Sequence, residues 1–206
     1  MQNQIPQSPS KILIAIPQHD KKRYCLDKLF DWLRDASLEN CEVLIRYHKG
    51  EYGEKDGVKK QREFFRKFAL EKDFTHLLFI GADTIPPLDV LPRFLAHNTD
   101  VVGGIYYGRR LASNGNPYTA VAWKHRTDGF NTRENLEKLS GLVEVDGMGM
   151  DCVLFTRKAL ESFSYLDWVV NDDDYPAYDI LKEKGFTVYL DTDLVCKHYN
   201  SEDSYS

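Results

Sequence analysis

The sequence has few cysteines, and they lack the spacings that hold a metal or a redox pair. Cys25, Cys41, Cys152 and Cys196 are scattered among 206 residues, with no Cys-x-x-Cys pair. This spacing excludes a zinc knuckle and a dithiol redox motif. We therefore expect buried thiols, and we leave a disulfide open for a protein from a hyperthermophile, where intracellular disulfides occur.

Long apolar runs and an excess of positive charge are also missing. No apolar segment approaches the ~20 residues that cross a bilayer, and the polar start MQNQIPQSPS lacks the apolar core of a signal peptide. The formal net charge of -5 argues against general attraction to nucleic acid or anionic lipid. The sequence therefore predicts a cytoplasmic, soluble protein that has no membrane span and does not bind nucleic acid.

The chain lacks internal repeats, low-complexity stretches and an evident linker between domains. With 206 residues and 42% hydrophobic content, it is long enough for one substantial core. We expect a single domain over residues 11–199, with flexible tails over 1–10 and 200–206.

The first half contains a regular alternation of apolar strands and amphipathic helices. Its predicted strands are KILIAIP (11–17), EVLIRY (42–47), HLLFI (76–80) and DVVGGIYY (100–107). We expect Pro17 to end the first strand and Asp20 to cap the helix that follows. Repeated strand–helix–strand units form sheets by right-handed crossovers. The predicted fold class is therefore α/β and Rossmann-like, with a mainly parallel, mixed central sheet flanked by helices.

The second half has a more mixed pattern. Its predicted strands lie in YTAVAWK (118–124), LVEVDGMGM (142–150) and TVYLDTDLVCKHY (187–199). Thr156 is expected to cap a short helix, and Gly185 is expected to stop the helix that begins in the acidic run DDDYP.

One carboxylate stands at the end of a predicted buried strand, in LLFIGADTIPP (77–87). Apolar residues run into Gly81 and Ala82, and Asp83 then precedes a double proline that stops the strand. Ligands of open α/β sheets bind outside the carboxyl ends of the strands, which makes Asp83 a candidate site residue. The alternative is a turn carboxylate that hydrogen-bonds its own backbone.

Two segments carry a resemblance to a known family. LLFIGADTIPPLDVLPRFLAHNTDVVGGIYYGRR resembles the central segment of family 2-like glycosyltransferases of the GT-A fold, in which a strand ends in an Asp-x-Asp motif before prolines and a helix. DDDYPAYDILKEKGFTVYLDTDLVCKHY resembles a later segment of that family, with an acidic pair, a helix, a glycine, a strand and a histidine. The resemblance implies a GT-A-like domain whose nucleotide-binding half spans about 11–110 and whose acceptor half spans about 111–199.

The resemblance implies a divalent metal as cofactor, with Mn²⁺ as the first choice and Mg²⁺ as the alternative. In the family, the Asp-x-Asp motif helps to bind an ion that neutralises the donor diphosphate. Here Gly81 stands at the first acidic position, so Asp83 alone carries over as a metal ligand. His198 matches the late histidine of the family and is the second predicted ligand. An exposed histidine without a ligand role is the alternative.

The resemblance also implies that a nucleotide-diphosphate sugar is the donor and lies over the first strands. The predicted donor-binding residues are Pro17, Gln18, Arg46, Arg62, Ala82 and Asp83. Arg46 is equally compatible with an ordinary surface charge. Lys59, Lys60 and Arg62 are compatible with the solvated face of a helix.

Asp173 and Asp174 are the predicted catalytic residues, because they stand where the family has its acidic pair. A sugar transfer with inversion needs a carboxylate that takes the proton of the acceptor hydroxyl. The alternative is that these carboxylates only cap a helix and favour its dipole.

The implied function is that of a metal-dependent glycosyltransferase, hexosyltransferase in type, acting on a hydroxyl of a glycan, a protein or a small molecule. One alternative is a nucleotidyltransferase, but IPQHDKKRY (16–24) lacks the Gly-rich phosphate loop expected after the first strand. The other is a non-catalytic module that binds a nucleotide-sugar, and Gly81 in place of an acidic residue favours it.

Overall fold

The computed structural model describes residues 10–48, 57–108, 119–124, 138–167, 174–201 and 204–205. The helical segments are a 3-10 helix Asp20–Cys25 followed by α1 Leu26–Asp35, α2 Gly57–Glu71, α3 Val90–Ala96, α4 Arg157–Leu160 and α5 Tyr175–Glu183. The longer strands are β1 Ile12–His19, β2 Cys41–His48, β3 His76–Ile80, β5 Val101–Ile105, β9 Leu142–Val145, β11 Cys152–Thr156, β12 Val188–Val195 and β13 Lys197–Ser201. The short strands are β4 Thr84–Ile85, β6 Tyr107–Gly108, β7 Thr119–Ala120, β8 Ala122–Trp123, β10 Gly147–Met148 and β14 Ser204–Tyr205.

The central sheet has seven strands in the order β2-β1-β3-β11-β5-β12-β9. Strands β2, β1 and β3 are parallel, and so are β5 and β12, whereas β11 runs antiparallel to both of its neighbours β3 and β5. The edge strand β9 is antiparallel to β12. The prediction of a mainly parallel, mixed sheet is therefore confirmed. Because β11 comes from the second half and lies between β3 and β5, the two halves of the sequence share one sheet.

Helices cover both faces of this sheet, and alternating strand residues supply both cores. On one face, Leu77 and Phe79 of β3 pack in a cluster with residues of α2, α4 and α5. On the other face, Leu78 and Ile80 pack in a cluster with residues of α1 and α3. Strands buried on both faces read as continuous apolar runs, which is why the sequence located β3 correctly. None of the described helices is both long and apolar enough to cross a membrane.

The start of the first helix differs from the prediction. Strand β1 continues through Pro17 to His19, and Pro17 lies in register with Arg46 of β2. The pairing of β1 with β3 ends at Ala15, so Pro17 stands where one side of the strand is open, which tolerates a residue without an N–H. The assignment of Asp20 as the cap is also wrong, because Asp20 begins the 3-10 helix and Cys25 holds the N-cap position of α1.

The predicted ends of the later helices are confirmed. The Thr156 hydroxyl accepts a hydrogen bond of 3.3 Å from the Ala159 N–H and caps α4. Gly185 follows α5 with a φ of +83°, a left-handed conformation that glycine adopts without steric cost.

Candidate functional site

Three side chains that can ligate a metal meet at one end of the central sheet. They are Asp83 after β3, Asp151 before β11 and His198 in β13, and one ligand atom of each lies within 4.8 Å of the others. Because β11 runs antiparallel to β3, the residue before β11 lies beside the residues that follow β3. Asp83 and His198 are buried, at 1% and 8% exposure, and Asp151 is partly buried. We call these three residues the acidic–histidine cluster.

Backbone pairing fixes Asp83 and His198 as neighbours. The Thr84 N–H donates to the Gly81 carbonyl at 3.0 Å, which closes a turn around Asp83. Strand β4 then pairs with β13, and Thr84 lies opposite His198. The Tyr199 N–H donates to the Asp83 carbonyl at 2.7 Å. The position of Asp83 is thus set by hydrogen bonds from both sides, independently of its carboxylate.

A second hydrogen bond orients the imidazole of His198. Nδ1 lies 2.7 Å from the Tyr107 carbonyl oxygen, which can only accept, so Nδ1 carries a hydrogen. Nε2 faces Asp83, 3.6 Å from Oδ2. The Tyr106 ring and the imidazole form a T-shaped contact, with ring centroids 5.3 Å apart. In the neutral ring, Nε2 is therefore the atom with a lone pair directed into the cluster, as in a histidine held for metal binding.

The charges of the cluster affect the protonation of His198. Burial disfavours the charged imidazole, but the nearby carboxylates of Asp83 and Asp151 favour it more strongly. The pKa of His198 is consequently raised above its ordinary value of 6.5. His198 is buried, so the alternative of an exposed histidine is wrong, and its role as a metal ligand stays a prediction.

Asp151 is the residue of this cluster that the sequence reading missed. Its carbonyl accepts a hydrogen bond of 2.8 Å from the Gly81 N–H. A Cβ atom added to Gly81 would lie 2.6 Å from the Asp151 Cγ, so the Asp151 carboxyl fills the space beside Gly81. The available signal was the glycine itself, since a glycine at a strand end indicates that another group approaches closely.

The acidic–histidine cluster is chemically suited to a divalent cation. Carboxylate oxygens suit Mg²⁺ and Mn²⁺, and an added imidazole nitrogen shifts the preference toward the transition metal. The imidazole already has the tautomer that a metal needs, and the space beside Gly81 is shaped around Asp151. The described residues therefore could hold such an ion.

Arg62 lies beside this cluster and is not on a solvated helix face. Its side chain, in α2, is only 5% exposed. One terminal nitrogen lies 2.6 Å from the Asp174 Oδ1, and the other lies 3.6 Å from the Asp151 Oδ1. The solvated-face alternative is wrong for Arg62 and for Lys59, which is also buried, whereas Lys60 is exposed.

Asp174 holds the N-cap position of α5 without making a side-chain capping bond. Its Oδ1 instead accepts a hydrogen bond from Arg62. The capping alternative therefore does not describe this carboxylate. Asp173, the other predicted catalytic residue, lies outside the described residues.

Tyr106 joins the two parts of the site. Burial raises the pKa of its hydroxyl strongly, and the carboxylates of Asp151 and Asp174 raise it further. A Cβ atom on Gly149 would lie 1.7 Å from that hydroxyl, so glycine at position 149 makes room for the ring. The Tyr106 ring thus contacts His198, and its hydroxyl lies near both carboxylates.

The remaining predicted donor-binding residues are distributed along β1, β2 and the turn after β3. Gln18 is buried, its amide nitrogen donates to the His19 carbonyl at 3.1 Å, and its Oε1 has no hydrogen-bond partner among the described residues. Arg46 lies over the ring of Phe64, 4.1 Å from its centroid. Ala82 is buried in the turn that precedes Asp83, and Pro17 lies in β1 opposite Arg46.

Comparison with known proteins gives matches at the level of structure. No protein-family model matches the sequence, and a search of curated proteins finds no match. The crystal structure of A197 from STIV aligns over 95% of this chain and 88% of that chain, with 22% identity and a TM-score of 0.65. The structure of GalNAc-T7 with UDP, GalNAc and Mn²⁺ aligns over 93% of this chain but 43% of that chain, with 10% identity and a TM-score of 0.55.

A third structure, the inositol-1-phosphate CTP transferase from T. maritima, aligns over 95% of this chain and 91% of that chain, with 11% identity. Its TM-score of 0.49 is too low to support a conclusion about this protein. At identities of this order, structural similarity informs on the fold and not on the reaction. The similarities to A197 and GalNAc-T7, together with the observed sheet, show that the chain has a GT-A-like, Rossmann-like α/β fold.

Proposed function

We propose that the protein is a metal-dependent glycosyltransferase that moves a sugar from a nucleotide-diphosphate sugar to a hydroxyl acceptor, with inversion. The observation that carries this proposal is the acidic–histidine cluster Asp83, Asp151 and His198 at the carboxyl end of β3. In sheets of this type, that edge is where ligands bind. The family resemblance of the sequence and the GT-A-like fold support the same assignment.

On this proposal, the cluster holds Mn²⁺ or Mg²⁺ and binds the donor through it. A divalent cation there would supply positive charge opposite the diphosphate leaving group. Arg62 adds a second positive charge, and its guanidinium fork matches the geometry of phosphate oxygens. Arg62 adjoins the cluster through Asp151, whose Oδ1 lies 3.6 Å from one of its terminal nitrogens.

The nucleoside is proposed to lie over the ends of β1 and β2, beside Pro17, Gln18 and Arg46. The Oε1 of Gln18 is buried without a partner among the described residues, and such an atom gains free energy when a ligand donates to it. An N–H of a nucleobase is a donor of this kind. Ala82 is proposed to contact the donor through the backbone of the turn it shares with Asp83.

Asp174 is proposed to act as the general base, with Asp173 as its neighbour. A carboxylate oxygen of Asp174 would take the proton from the acceptor hydroxyl while the hydroxyl oxygen forms a bond to the sugar carbon. The bond from that carbon to the diphosphate breaks in the same step, and the nucleoside diphosphate leaves. In the structure this carboxylate accepts a hydrogen bond from Arg62. Pairing with Arg62 makes this carboxylate a weaker proton acceptor, so Asp174 is expected to act on an acceptor more readily once Arg62 has moved.

The alternative of a non-catalytic binding module depended on the loss of the first acidic residue at Gly81. Asp151 offers a carboxylate in the same space, which removes the reason to prefer that alternative. No contact of the described residues favours a nucleotidyltransferase.

A panel of nucleotide-sugars, incubated with the protein and Mn²⁺, tests the proposal through release of the nucleoside diphosphate. We expect release with at least one donor, abolished by a chelator and lowered by about 100-fold or more in Asp83→Asn. The matched control is Glu144→Gln, which alters an exposed carboxylate on the edge strand β9 and should retain full release. If a nucleotide-sugar raises the thermal midpoint but no donor is ever turned over, the protein is the binding module instead.

A further inference from the structure

We propose that Arg62 acts as an internal counter-ion that holds Asp151 and Asp174 until a diphosphate displaces it, so that the metal and the diphosphate bind cooperatively. This inference rests on the proposed function, since it takes the acidic–histidine cluster as the metal site and a diphosphate as part of the donor. It adds a mechanism that couples the two ligands and links both to the general base.

The first observation is the position of the guanidinium. Arg62 comes from α2, Asp151 from the residue before β11, and Asp174 from the start of α5. The Arg62 side chain is almost completely buried, and its two terminal nitrogens face different carboxylates, at 2.6 Å and 3.6 Å. A buried charge is stable only when it is paired, and the two carboxylates contribute to that pairing.

The second observation is that one of these carboxylates belongs to the acidic–histidine cluster. A divalent cation bound to Asp151 would share that carboxyl group with the positive charge of Arg62, which lies 3.6 Å from its Oδ1. Repulsion between the two cations lowers the affinity for the metal alone. We therefore expect the metal to bind weakly while Arg62 stays beside Asp151.

A diphosphate changes this balance. Its oxygens accept paired hydrogen bonds from a guanidinium fork, and its negative charge attracts both a metal cation and Arg62. The diphosphate thus offsets the repulsion and draws Arg62 away from the carboxylates. By thermodynamic linkage, the metal must then raise the affinity for the diphosphate by the same factor as the diphosphate raises the affinity for the metal.

The same movement acts on Asp174. The hydrogen bond from Arg62 to the Asp174 Oδ1 makes the carboxylate a weaker proton acceptor. When Arg62 turns to the diphosphate, the carboxylate accepts the proton of an acceptor hydroxyl more readily. We therefore expect the acceptor to be activated after the donor has bound.

The test measures binding without turnover, by calorimetry with Mn²⁺ alone and with inorganic pyrophosphate alone. In Arg62→Met, we expect Mn²⁺ alone to bind roughly 10-fold more tightly than in the parent protein, and pyrophosphate alone to bind more weakly by a similar factor. In Arg62→Lys, which keeps the charge but loses the fork, Mn²⁺ affinity should stay near that of the parent and pyrophosphate affinity should fall.

The variant Asp174→Asn should change the Mn²⁺ affinity in the opposite direction to Arg62→Met. Without the negative charge of Asp174, the charge of Arg62 acts more strongly on Asp151, so Mn²⁺ alone should bind more weakly than in the parent. The matched control is Lys60→Met, which removes an exposed positive charge from the same helix and should leave Mn²⁺ affinity unchanged within about twofold. Mn²⁺ and pyrophosphate associate in solution, and this contributes to any titration that contains both. Cooperativity is therefore measured as the difference in affinity between variants under identical conditions.

Unchanged, weaker or absent Mn²⁺ binding in Arg62→Met overturns the inference, and so does unchanged or tighter binding in Asp174→Asn. If Arg62→Met does not fold, the Mn²⁺ and pyrophosphate affinities of Asp174→Asn and Arg62→Lys still test the inference. These results are independent of the proposed reaction, because a protein that never transfers a sugar would still show the coupling. Conversely, if the protein transfers a sugar but shows no coupling, the proposed function stands and the inference about Arg62 is wrong.

Discussion

Asp151 faces Gly81 across the junction of β3 and β11, and its carboxyl group lies where a side chain at position 81 would begin. The two backbones are joined by the hydrogen bond from the Gly81 N–H to the Asp151 carbonyl, at 2.8 Å. The Asp151 Cγ, Cβ and Oδ1 atoms all lie closer than 3.0 Å to the position of an added Cβ. Gly81 is not among the glycines with a positive φ, so space and not backbone conformation requires glycine here.

The first prediction concerns Gly81→Asp, which would restore the Asp-x-Asp motif in the sequence. We expect the substitution to weaken Mn²⁺ binding, by roughly 10-fold, because the new side chain displaces Asp151 from the cluster. Gly81→Ala should weaken binding to a similar extent, since the Cβ atom causes the clash. The measurement is calorimetric titration with Mn²⁺ beside a thermal melt of each variant.

A double variant makes this prediction sharper. Gly81→Asp combined with Asp151→Gly exchanges the two residue types and relieves the clash while keeping two carboxylates near His198. We expect the double variant to bind Mn²⁺ more tightly than either single variant, a coupling that a double-mutant cycle measures directly. Tighter binding in Gly81→Asp alone would show that the space beside position 81 is not filled by Asp151.

The sequence located the local parts of this site and missed the contacts between distant parts. Asp83 could be predicted because a buried strand, a turn and a double proline are adjacent in the chain. Asp151 could not, because its role depends on β11 entering the sheet between β3 and β5 in antiparallel register. Periodicity gives no information on strand order. The pairing of Arg62 with Asp174, which lie 112 positions apart, is missed for the same reason.

The predictions based on proline and capping residues were also correct in some places and wrong in others. Thr156 and Gly185 were predicted correctly, since a cap depends on residues within one turn. Pro17 was expected to end β1, yet the strand passes through it, because the ladder with β3 has already ended. Whether a proline stops a strand depends on which side of that strand is paired, and this information is not local.

A second prediction is that pH acts in opposite directions on metal binding and on the stability of the metal-free protein. The pKa of His198 is raised above 6.5 in the folded state, where burial is outweighed by Asp83 and then Asp151. The charged imidazole therefore stabilises the metal-free fold below the unfolded-state pKa, and this contribution is lost as the pH rises through the folded-state pKa. Mn²⁺ needs the neutral imidazole, so its affinity should rise over the same range.

The measurement is a pair of profiles between about pH 5.5 and pH 8.5, one of Mn²⁺ affinity and one of the thermal midpoint without metal. In His198→Asn, both pH-dependent changes attributed to this group should disappear, and Mn²⁺ affinity should be low throughout. A metal affinity that stays constant over this range in the parent protein would exclude His198 as a ligand.

A third prediction concerns a buried ion pair that supports the fold away from the site. Arg93 in α3 donates to both carboxylate oxygens of Asp191 in β12, at 2.6 Å and 2.8 Å, and His97 lies 2.8 Å from one of them. Asp191 is fully buried. Arg93→Met should lower the free energy of unfolding by about 2 to 4 kcal/mol, because it leaves a buried carboxylate without its main partner. Urea unfolding measures this loss.

The pH dependence of that loss follows from the same contacts. Burial opposes ionisation of Asp191, but the hydrogen bonds from Arg93 and His97 outweigh it, and the pKa of Asp191 is lowered from 3.8. The pair therefore stabilises the fold above the unfolded-state pKa, and this stability is lost as the pH falls through the lowered pKa. In Arg93→Met, this loss of stability at acid pH should be smaller, because the carboxylate has lost the main partner that lowers its pKa. Arg34→Met, which breaks contacts of an exposed arginine with Asp31 and Asp35, serves as the control and should unfold like the parent.

The last prediction concerns the general base. Asp174→Asn should lower turnover by about 10²- to 10⁴-fold, or roughly 3 to 5 kcal/mol of barrier, because an amide cannot take the proton of the acceptor hydroxyl. Donor affinity at saturating Mn²⁺ should not weaken by more than about threefold, since Arg62 no longer has to leave a carboxylate in order to reach the diphosphate. The control is Glu183→Gln, an exposed carboxylate at the end of the same helix, which should retain full turnover.

Turnover and donor binding are measured side by side for Asp172→Asn, Asp173→Asn and Asp174→Asn. A large loss at Asp173 alone would move the base to that neighbour, whereas a large loss only at Asp172, or at none of the three, would contradict the assignment of the base to this acidic run.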